Sequence, residues 1–169
     1  MTNELEILRS VHEENRITQR ELAKRTGLSL GSVNVLLKRL IHKGLIKIEH
    51  INSKTIKYIL TPKGLLEKAR LTYHYIVSSY NYISGIEQKI EKIIGNKNNS
   101  VKVILYGIND ELYDIITAKL KSMNEPYEFV QRNSNINKFT EGDYIIITWH
   151  PEDIDDGQKN GLNTVNILK

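Results

Sequence analysis

The sequence predicts two domains joined by a long helix: an α+β domain at the N-terminal end and a small α/β domain at the C-terminal end. The apolar spacing changes from helical to alternating near residue 45, and continuous apolar strands appear only after residue 100. The charge divides in the same way, because residues 1–95 carry 16 basic against 9 acidic side chains and residues 96–169 carry 8 against 11. The polar stretch 95–100 is the expected boundary.

The composition of the 169 residues excludes several classes of protein. The chain has no cysteine, which excludes disulfides and thiol catalysis and argues against a zinc site. No apolar run approaches the roughly 20 residues of a membrane-spanning helix. The first residues lack the basic and apolar segments of a signal peptide. We therefore expect a cytoplasmic protein.

Two helices are predicted at the start of the chain. Asn3 and Glu6 have the spacing of a capping box, in which two side chains satisfy the free amides of a helix start, and they begin the first helix. Thr18 and Glu21 repeat this spacing and begin a second, shorter helix. Gly27 follows as the residue type that most readily takes the left-handed conformation after a helix.

A third helix and a β-hairpin complete the N-terminal domain, which is predicted over residues 1–61. Ser29 caps the helix, and Gly44 ends it. Residues 45–50 and 55–60 are predicted as two strands joined by a polar turn. Three helices, with a tight glycine turn before the third, and a two-stranded wing form the winged helix-turn-helix arrangement. The inward apolar stripe of the third helix is Val33, Leu36, Leu37 and Leu40.

The segment 62–95 is predicted as a long helix with Pro62 at its first position. Its apolar residues alternate between spacings of three and four, which is typical of a helix that pairs with a second copy of itself. The phase slips by one residue at Ser84-Gly85, so we expect the helix to kink there or to end and restart. The expected dimerisation residues are Leu66, Ala69, Tyr73, Ile76, Tyr80 and Ile83.

The N-terminal domain has a charge that attracts nucleic acid. Residues 16–63 hold 11 basic side chains and only two acidic ones, Glu21 and Glu49. In a winged helix-turn-helix the third helix enters the major groove of DNA and the second braces it on the backbone. The residues expected to face DNA are Arg20, Lys24, Ser29, Leu30, Gly31, Ser32, Asn34, Val35, Lys38, Arg39, Lys54 and Lys57.

These residues are expected to differ in what they contact. Asn34 carries an amide that can pair with adenine through two hydrogen bonds. The serines suit phosphates or base edges, and the basic side chains of the two helices would hold phosphates. Lys54 at the tip of the wing and Lys57 beside it would reach the flanking minor groove or the backbone.

The N-terminal sequence resembles winged-helix transcriptional regulators of the MarR-like type. The resemblance is carried by ITQRELA at 17–23, GLS at 27–29, SV at 32–33, LKRL at 37–40, KGLI at 43–46 and LTPKG at 60–64. EKARLTY at 67–73 resembles a subgroup linked to exopolysaccharide gene clusters. The resemblance covers about residues 3–75 and implies a dimer that binds double-stranded DNA. It departs at Val35, where such regulators often carry a basic or polar side chain.

The C-terminal domain, predicted over residues 101–169, alternates strands with a helix. The strands are expected at 101–106, 127–130, 144–149 and 164–168, and an amphipathic helix at 109–123. Strands that are apolar on both faces predict a small parallel α/β sheet.

The turn after its first strand lies where a Rossmann-like domain holds a pyrophosphate. Of the three glycines of that fingerprint only Gly107 is present, and Asn109 and Leu112 occupy the other two positions. Arg132 follows the second strand and could meet a phosphate, but a solvated arginine is the simpler interpretation. We therefore predict a degenerate Rossmann-like domain without a cofactor.

The sequence contains no recognisable catalytic or metal-binding pattern. The acidic cluster of His150, Glu152, Asp153, Asp155 and Asp156 does not have the spacing of a calcium loop. No nucleophile elbow is present, and no Ser-His-Asp arrangement is evident. An enzyme is therefore not expected.

The resulting hypothesis is a homodimeric regulator of transcription whose α/β domain serves sensing of an unidentified small-molecule effector, or assembly. One alternative is a nucleotide-binding sensor or enzyme carried by the α/β domain, which the missing glycines and nucleophile disfavour. The other is a scaffold whose winged helix binds protein, which the basic segment disfavours.

Overall fold

The computed structural model describes residues 2–14, 16–52, 55–132, 134, 139, 143–150, 152 and 163–169. The contacts divide the chain into two units, Met1–Ser79 and Tyr80–Lys169. Among the described residues, no helix combines the length and the apolar character that a bilayer crossing requires.

The first unit has the predicted winged helix-turn-helix order. Its wing strands pair antiparallel, with Ile46 opposite Leu60 and Ile48 opposite Tyr58. The elements are α1 (Asn3–Glu13), α2 (Gln19–Thr26), α3 (Leu30–His42), β1 (Ile46–Asn52), β2 (Thr55–Leu60) and the first part of α4 (Pro62–Asn96).

An apolar core holds the three helices and the base of the wing together. All of its members are less than a tenth exposed, so each helix buries one stripe and leaves the other side to solvent. The third helix uses three of the four residues expected of its inward stripe as fully buried contacts, and Leu36 packs at the edge. The core includes Leu8, Val11, Leu22, Val33, Leu37, Leu40, Ile46 and Tyr58.

The predicted signals at α2 are confirmed in detail. The Thr18 hydroxyl accepts a hydrogen bond from the Glu21 amide at 3.2 Å, and the Glu21 carboxylate accepts one from the Thr18 amide at 2.7 Å. The Thr18 amide and hydroxyl hold the pKa of the Glu21 carboxyl below its ordinary value. Gly27 has a φ of +69°, the left-handed conformation that ends the helix and starts the turn.

The start of α1 differs from the prediction by one residue. Thr2, rather than Asn3, is the cap, and its hydroxyl accepts from the Leu5 amide at 3.3 Å. Both residue types cap well, so the sequence offered two adjacent solutions. With Thr2 as the cap, Glu4 lies in the first turn and forms ion pairs with Arg39 of α3 and with Lys43, which follows α3.

The wing is longer than predicted. β1 continues through Ile51 and Asn52, where a polar turn was expected, and the register shifts between His50 and Asn52. A bulge of this kind lets a strand gain a residue without losing its pairing.

The long helix is continuous, so of the two alternatives expected at Ser84-Gly85, a kink or an end and restart, the second is wrong. α4 runs from Pro62 to Asn96 and takes up the first two residues of the predicted polar linker. The phase slip marks a change of neighbours instead. Ile86 and Ile90 are buried in the core of the second unit, whereas the earlier apolar residues belong to a different face of the helix.

The second unit is the predicted small parallel α/β domain. Its strands are β3 (Lys102–Gly107), β4 (Tyr127–Gln131), β5 (Tyr144–Thr148) and β6 (Thr164–Asn166), with α5 (Glu111–Ser122) between β3 and β4. All three strand pairings are parallel, in the order β4-β3-β5-β6. The chain therefore moves from β3 to one side and returns to the other, which makes the carboxyl ends of β3 and β5 a topological switch point.

Both faces of this sheet are buried. Residues of α4 and α5 cover one face, and Phe139 packs on the other beside Ile104, Tyr106 and Ile146. Burial on both faces explains why the strands are apolar without alternation. The first face comprises Val103, Leu105 and Ile147, covered by Ile86, Ile90, Ile116 and Leu120.

Candidate nucleic-acid interface

The outward face of α3 is a stripe of four exposed positions. Gly31, Val35, Lys38 and His42 follow one another at spacings of four and three, on the side of the helix opposite the buried Val33. The helix contains no acidic residue. This stripe is therefore free of negative charge and bare of a side chain at Gly31.

Most of the residues expected to face DNA lie at the surface of the first unit. Asn34 and Lys57 are half-buried, and Lys54 lies outside the described residues. The exposed ones are Arg20, Lys24, Ser29, Leu30, Gly31, Ser32, Val35, Lys38 and Arg39.

The two serines at the start of α3 already have structural partners. The Ser29 hydroxyl accepts from the Ser32 amide at 3.1 Å and lies 2.8 Å from the Ser32 hydroxyl. Ser29 therefore caps the helix, and this leaves Ser32 the better placed of the two to offer a hydrogen bond to a ligand. The sequence identified the cap but not the pairing of the hydroxyls.

The basic side chains of the first unit differ in their partners. Arg20, Lys24 and Lys38 are exposed and form no salt bridge within the part of the chain that the structure describes. Arg39 instead pairs with Glu4 of α1. An exposed cation without an internal partner is available to a phosphate at a lower cost, because no ion pair has to be exchanged.

Of the two wing lysines expected to contact DNA, the described one lies opposite an acidic residue. Lys57 lies directly across the strand pair from Glu49, and opposite charges at paired positions attract each other. The surface near them is apolar, since Ile48, Ile51 and Ile56 are all exposed.

A compact joint ties the end of α3 and the wing to α4. The Thr61 amide donates to the Leu45 carbonyl at 3.0 Å, and the Thr61 hydroxyl donates to the Gly44 carbonyl at 2.7 Å. The same hydroxyl accepts from the Gly64 amide at 3.0 Å and so caps α4. A methyl group added at Gly64 would lie 2.0 Å from the Leu45 carbonyl oxygen. The motif LTPKG thus serves close backbone packing, which its resemblance alone did not reveal.

The expected dimerisation residues form an exposed stripe on α4. Leu66 is 74% exposed, Tyr73 66%, Ile76 59% and Tyr80 70%. Ala69 is also exposed, and Ile83 is half-buried. Leaving this much apolar surface in water is costly, and stripes of this kind mark interaction sites.

The switch point of the second unit is filled by a side chain. The indole of Trp149 is buried and lies against Gly107, where an added methyl group would come within 2.4 Å of the ring. Its Nε1 donates to the Asp110 carboxylate at 3.1 Å, and the same oxygen accepts from the Tyr113 amide at 2.9 Å and caps α5. Gly107 therefore gives room to Trp149, and the helix start carries a negative charge.

This arrangement does not fit a dinucleotide. A pyrophosphate needs free amides at a helix start and open space above the glycine turn. Here the Tyr113 amide is taken by the Asp110 carboxylate, and the indole occupies the space. Sequence reasoning noted Gly107 but missed Trp149, although a tryptophan at the end of a buried strand needs an acceptor for its N–H.

The acidic cluster near the end of the chain shows no metal site in its described part. His150, Glu152 and Arg132 lie close together, with Arg132 donating to Glu152 at 2.6 Å. Arg132 holds the pKa of the Glu152 carboxyl below its ordinary value. Within the described residues, no group of three acidic, histidine or cysteine side chains could hold a metal ion. Asp153, Asp155 and Asp156 lie outside them.

The first unit is a winged helix-turn-helix domain. It has three helices around one core, a two-stranded wing after the third helix, and an exposed face on that helix without acidic residues. Residues 2–47 match the family model described as winged helix-turn-helix DNA-binding. The match covers α1, α2, α3 and the first residues of β1. The comparison with curated proteins found no match.

The solved structures similar to this chain include MarR family regulators. One is a MarR family protein of Mycobacterium tuberculosis in complex with salicylic acid, at 17% identity and a TM-score of 0.43. The similarity covers 47% of this chain and 60% of that one. MepR, a transcription regulator of the Staphylococcus aureus multidrug efflux pump MepA, has 19% identity and a TM-score of 0.44, covering 73% and 78%.

ZitR of Lactococcus lactis has 18% identity and a TM-score of 0.43, with 73% of each chain covered. These similarities are too low to carry an argument about function, and the class of the first unit rests on the family model and the geometry. The resemblance to the exopolysaccharide-linked subgroup stays a prediction.

Proposed function

We propose that the protein is a transcriptional regulator that binds double-stranded DNA through the outward face of α3. The observation that carries this proposal is the character of that face, which is exposed at Gly31, Val35, Lys38 and His42 and belongs to a helix without acidic residues. Lys38 on this face and Arg20 and Lys24 on α2 are exposed and form no salt bridge among the described residues. Such a face can enter the major groove while the cations reach phosphates on either side.

The partners of the acidic residues in the first unit support the same function. Glu4 pairs with Arg39 and Lys43, and Glu21 is held by Thr18. The two cations beside Glu4 offset its charge toward an approaching polyanion, whereas Glu21 keeps its charge and fixes the start of α2. A protein-binding scaffold would have no need of this one-sided charge.

DNA binding is tested by fluorescence anisotropy with specific and random duplexes. Lys38→Ala should weaken binding to all sequences alike and reduce the salt dependence by about one unit, because one phosphate contact is lost. The matched control is Lys92→Ala, which removes the same charge from an exposed position on α4 in the other unit. Equal effects of the two variants, or unchanged affinity in both, would refute the role of α3.

A second measurement separates base readout from phosphate contact. Asn34 is half-buried and directly precedes Val35 of the outward stripe. Asn34→Ala should cost about 1–3 kcal/mol at a single base position and leave binding to random duplexes unchanged. A uniform loss on every duplex would instead assign Asn34 to the fold.

We further propose that the protein is a homodimer that pairs through α4. The support is the stripe of Leu66, Tyr73, Ile76 and Tyr80 on α4, each of which is more than half exposed among the described residues. Tyrosines suit an interface, because the ring is buried while the hydroxyl keeps a partner or water. Two-fold pairing would set two recognition helices about 34 Å apart, matching a palindromic site.

The second unit is proposed to serve sensing or assembly as a degenerate Rossmann-like domain. The parallel strand order with a switch point supports that label, and the filled crevice at Gly107 and Trp149 disfavours the alternative of a nucleotide sensor or enzyme.

A further inference from the structure

The outward stripe of α3 has an apolar side chain at its centre. Val35 lies one turn after Gly31 and one turn before Lys38, and 69% of its surface is exposed. It takes no part in the core of the first unit. Leu30, at the first position of the helix, is also 47% exposed. The helix thus exposes apolar side chains at positions where polar side chains would be better solvated and equally compatible with a helix.

The surroundings of Val35 favour contact with a rigid surface. Gly31 has no side chain, and the nearest atom to a methyl group placed there would be the Ser29 hydroxyl at 3.9 Å. No side chain at Gly31 therefore holds this part of the outward stripe away from a partner, and the next position on the stripe is Val35. A valine in a helix keeps one strongly preferred rotamer, so the two methyl groups point in a fixed direction.

The major groove of B-DNA offers one apolar group, the C5-methyl of thymine. Against any other base edge, Val35 would remove water from polar atoms without replacing their hydrogen bonds. Against a thymine methyl, apolar surface is buried on both sides. We infer that Val35 is a specificity-determining residue that contacts the C5-methyl of one thymine in each half-site. This inference rests on the proposed DNA-binding function.

The test removes the methyl group from the DNA alone. Duplexes are first selected from a random library by the full-length protein, and each thymine of the selected sequence is then replaced in turn by deoxyuridine. Deoxyuridine pairs as thymine does and lacks only the C5-methyl. Each half-site should contain one thymine whose single replacement weakens binding about fourfold, the effect expected for one buried methyl group. Replacements elsewhere should have little effect.

The partner variant is Val35→Ala, which shortens an exposed side chain and is expected to leave the fold intact, as circular dichroism would check. Val35→Ala should weaken binding to the thymine duplex and lose the discrimination against deoxyuridine at that position, as in a double-mutant cycle. The control is Lys38→Ala, which should bind all duplexes more weakly and keep the discrimination.

Two outcomes would overturn the role of Val35 while leaving DNA binding in place. One is a wild-type protein that binds selected duplexes equally with or without every thymine methyl. The other is an unchanged deoxyuridine penalty in Val35→Ala. Failure of the full-length protein to enrich or bind any duplex would refute the proposed function itself, and the role of Val35 with it.

Discussion

Replacing Ile76 by aspartate should dissociate the proposed dimer. Ile76 is 59% exposed in one chain, and fully burying such a side chain stabilises by about 1.5–3 kcal/mol. The part still exposed is therefore worth about 1–2 kcal/mol per copy. A two-fold interface contains the residue twice, so the loss is about 2–4 kcal/mol before the cost of burying a carboxylate is added. The dimer Kd should rise roughly thirtyfold to a thousandfold.

Sedimentation equilibrium at a series of protein concentrations measures this change. Ser78→Asp is the matched control, because it adds the same charge at an exposed position on the other side of α4 and should leave the dimer intact. Adding Tyr80→Asp to Ile76→Asp should weaken association further. A wild-type protein that is monomeric at micromolar concentration would refute the reasoning, as would an Ile76→Asp variant that associates like the wild type.

Three further results are expected. Gly64→Ala should lower the free energy of unfolding by about 1–3 kcal/mol, because the added methyl group overlaps the Leu45 carbonyl; an unchanged thermal midpoint would contradict this. Calorimetry with NAD, NADP and ATP should detect no binding tighter than about 0.1 mM, since Trp149 fills the space that a pyrophosphate needs; a micromolar Kd would favour the nucleotide sensor. The depressed pKa of Glu21 contributes stability that is present above the unfolded pKa and lost as the pH falls through the folded pKa. Urea unfolding over a pH series should show this contribution in the wild type and not in Glu21→Gln, and identical profiles would contradict it.

Local signals in the sequence were sufficient to predict most of the helices and strands of the first unit. Thr18 and Glu21 could be recognised as a capping box because their bonds are made within four residues, and Gly27 ends α2 for an equally local reason. The start of α1 was misplaced because Thr2 and Asn3 both cap well. Glu4, which follows these residues in the first turn, pairs with Arg39, 35 residues away.

Contacts between residues far apart in the chain could not be predicted from the sequence. The phase slip at Ser84-Gly85 predicted a kink or a break in the helix. A continuous helix that changes its neighbours gives the same pattern, and only the burial of Ile86 against the sheet reveals that change of neighbours. Gly107 predicted a close approach but not the group that approaches, which is Trp149, the residue after β5. The exposed face of α3 could be predicted because the buried stripe fixes the opposite side of a helix.

Specific DNA binding by α3 is tested most directly by recovering the DNA that the protein binds across a genome. The wild-type protein should recover sites that share an inverted repeat, with half-sites about one helical turn apart, or a multiple of it, centre to centre. The Lys38→Ala variant should recover fewer sites, whereas Lys92→Ala should recover the same set. A wild-type protein that recovers DNA with no shared sequence would contradict specific readout by this helix.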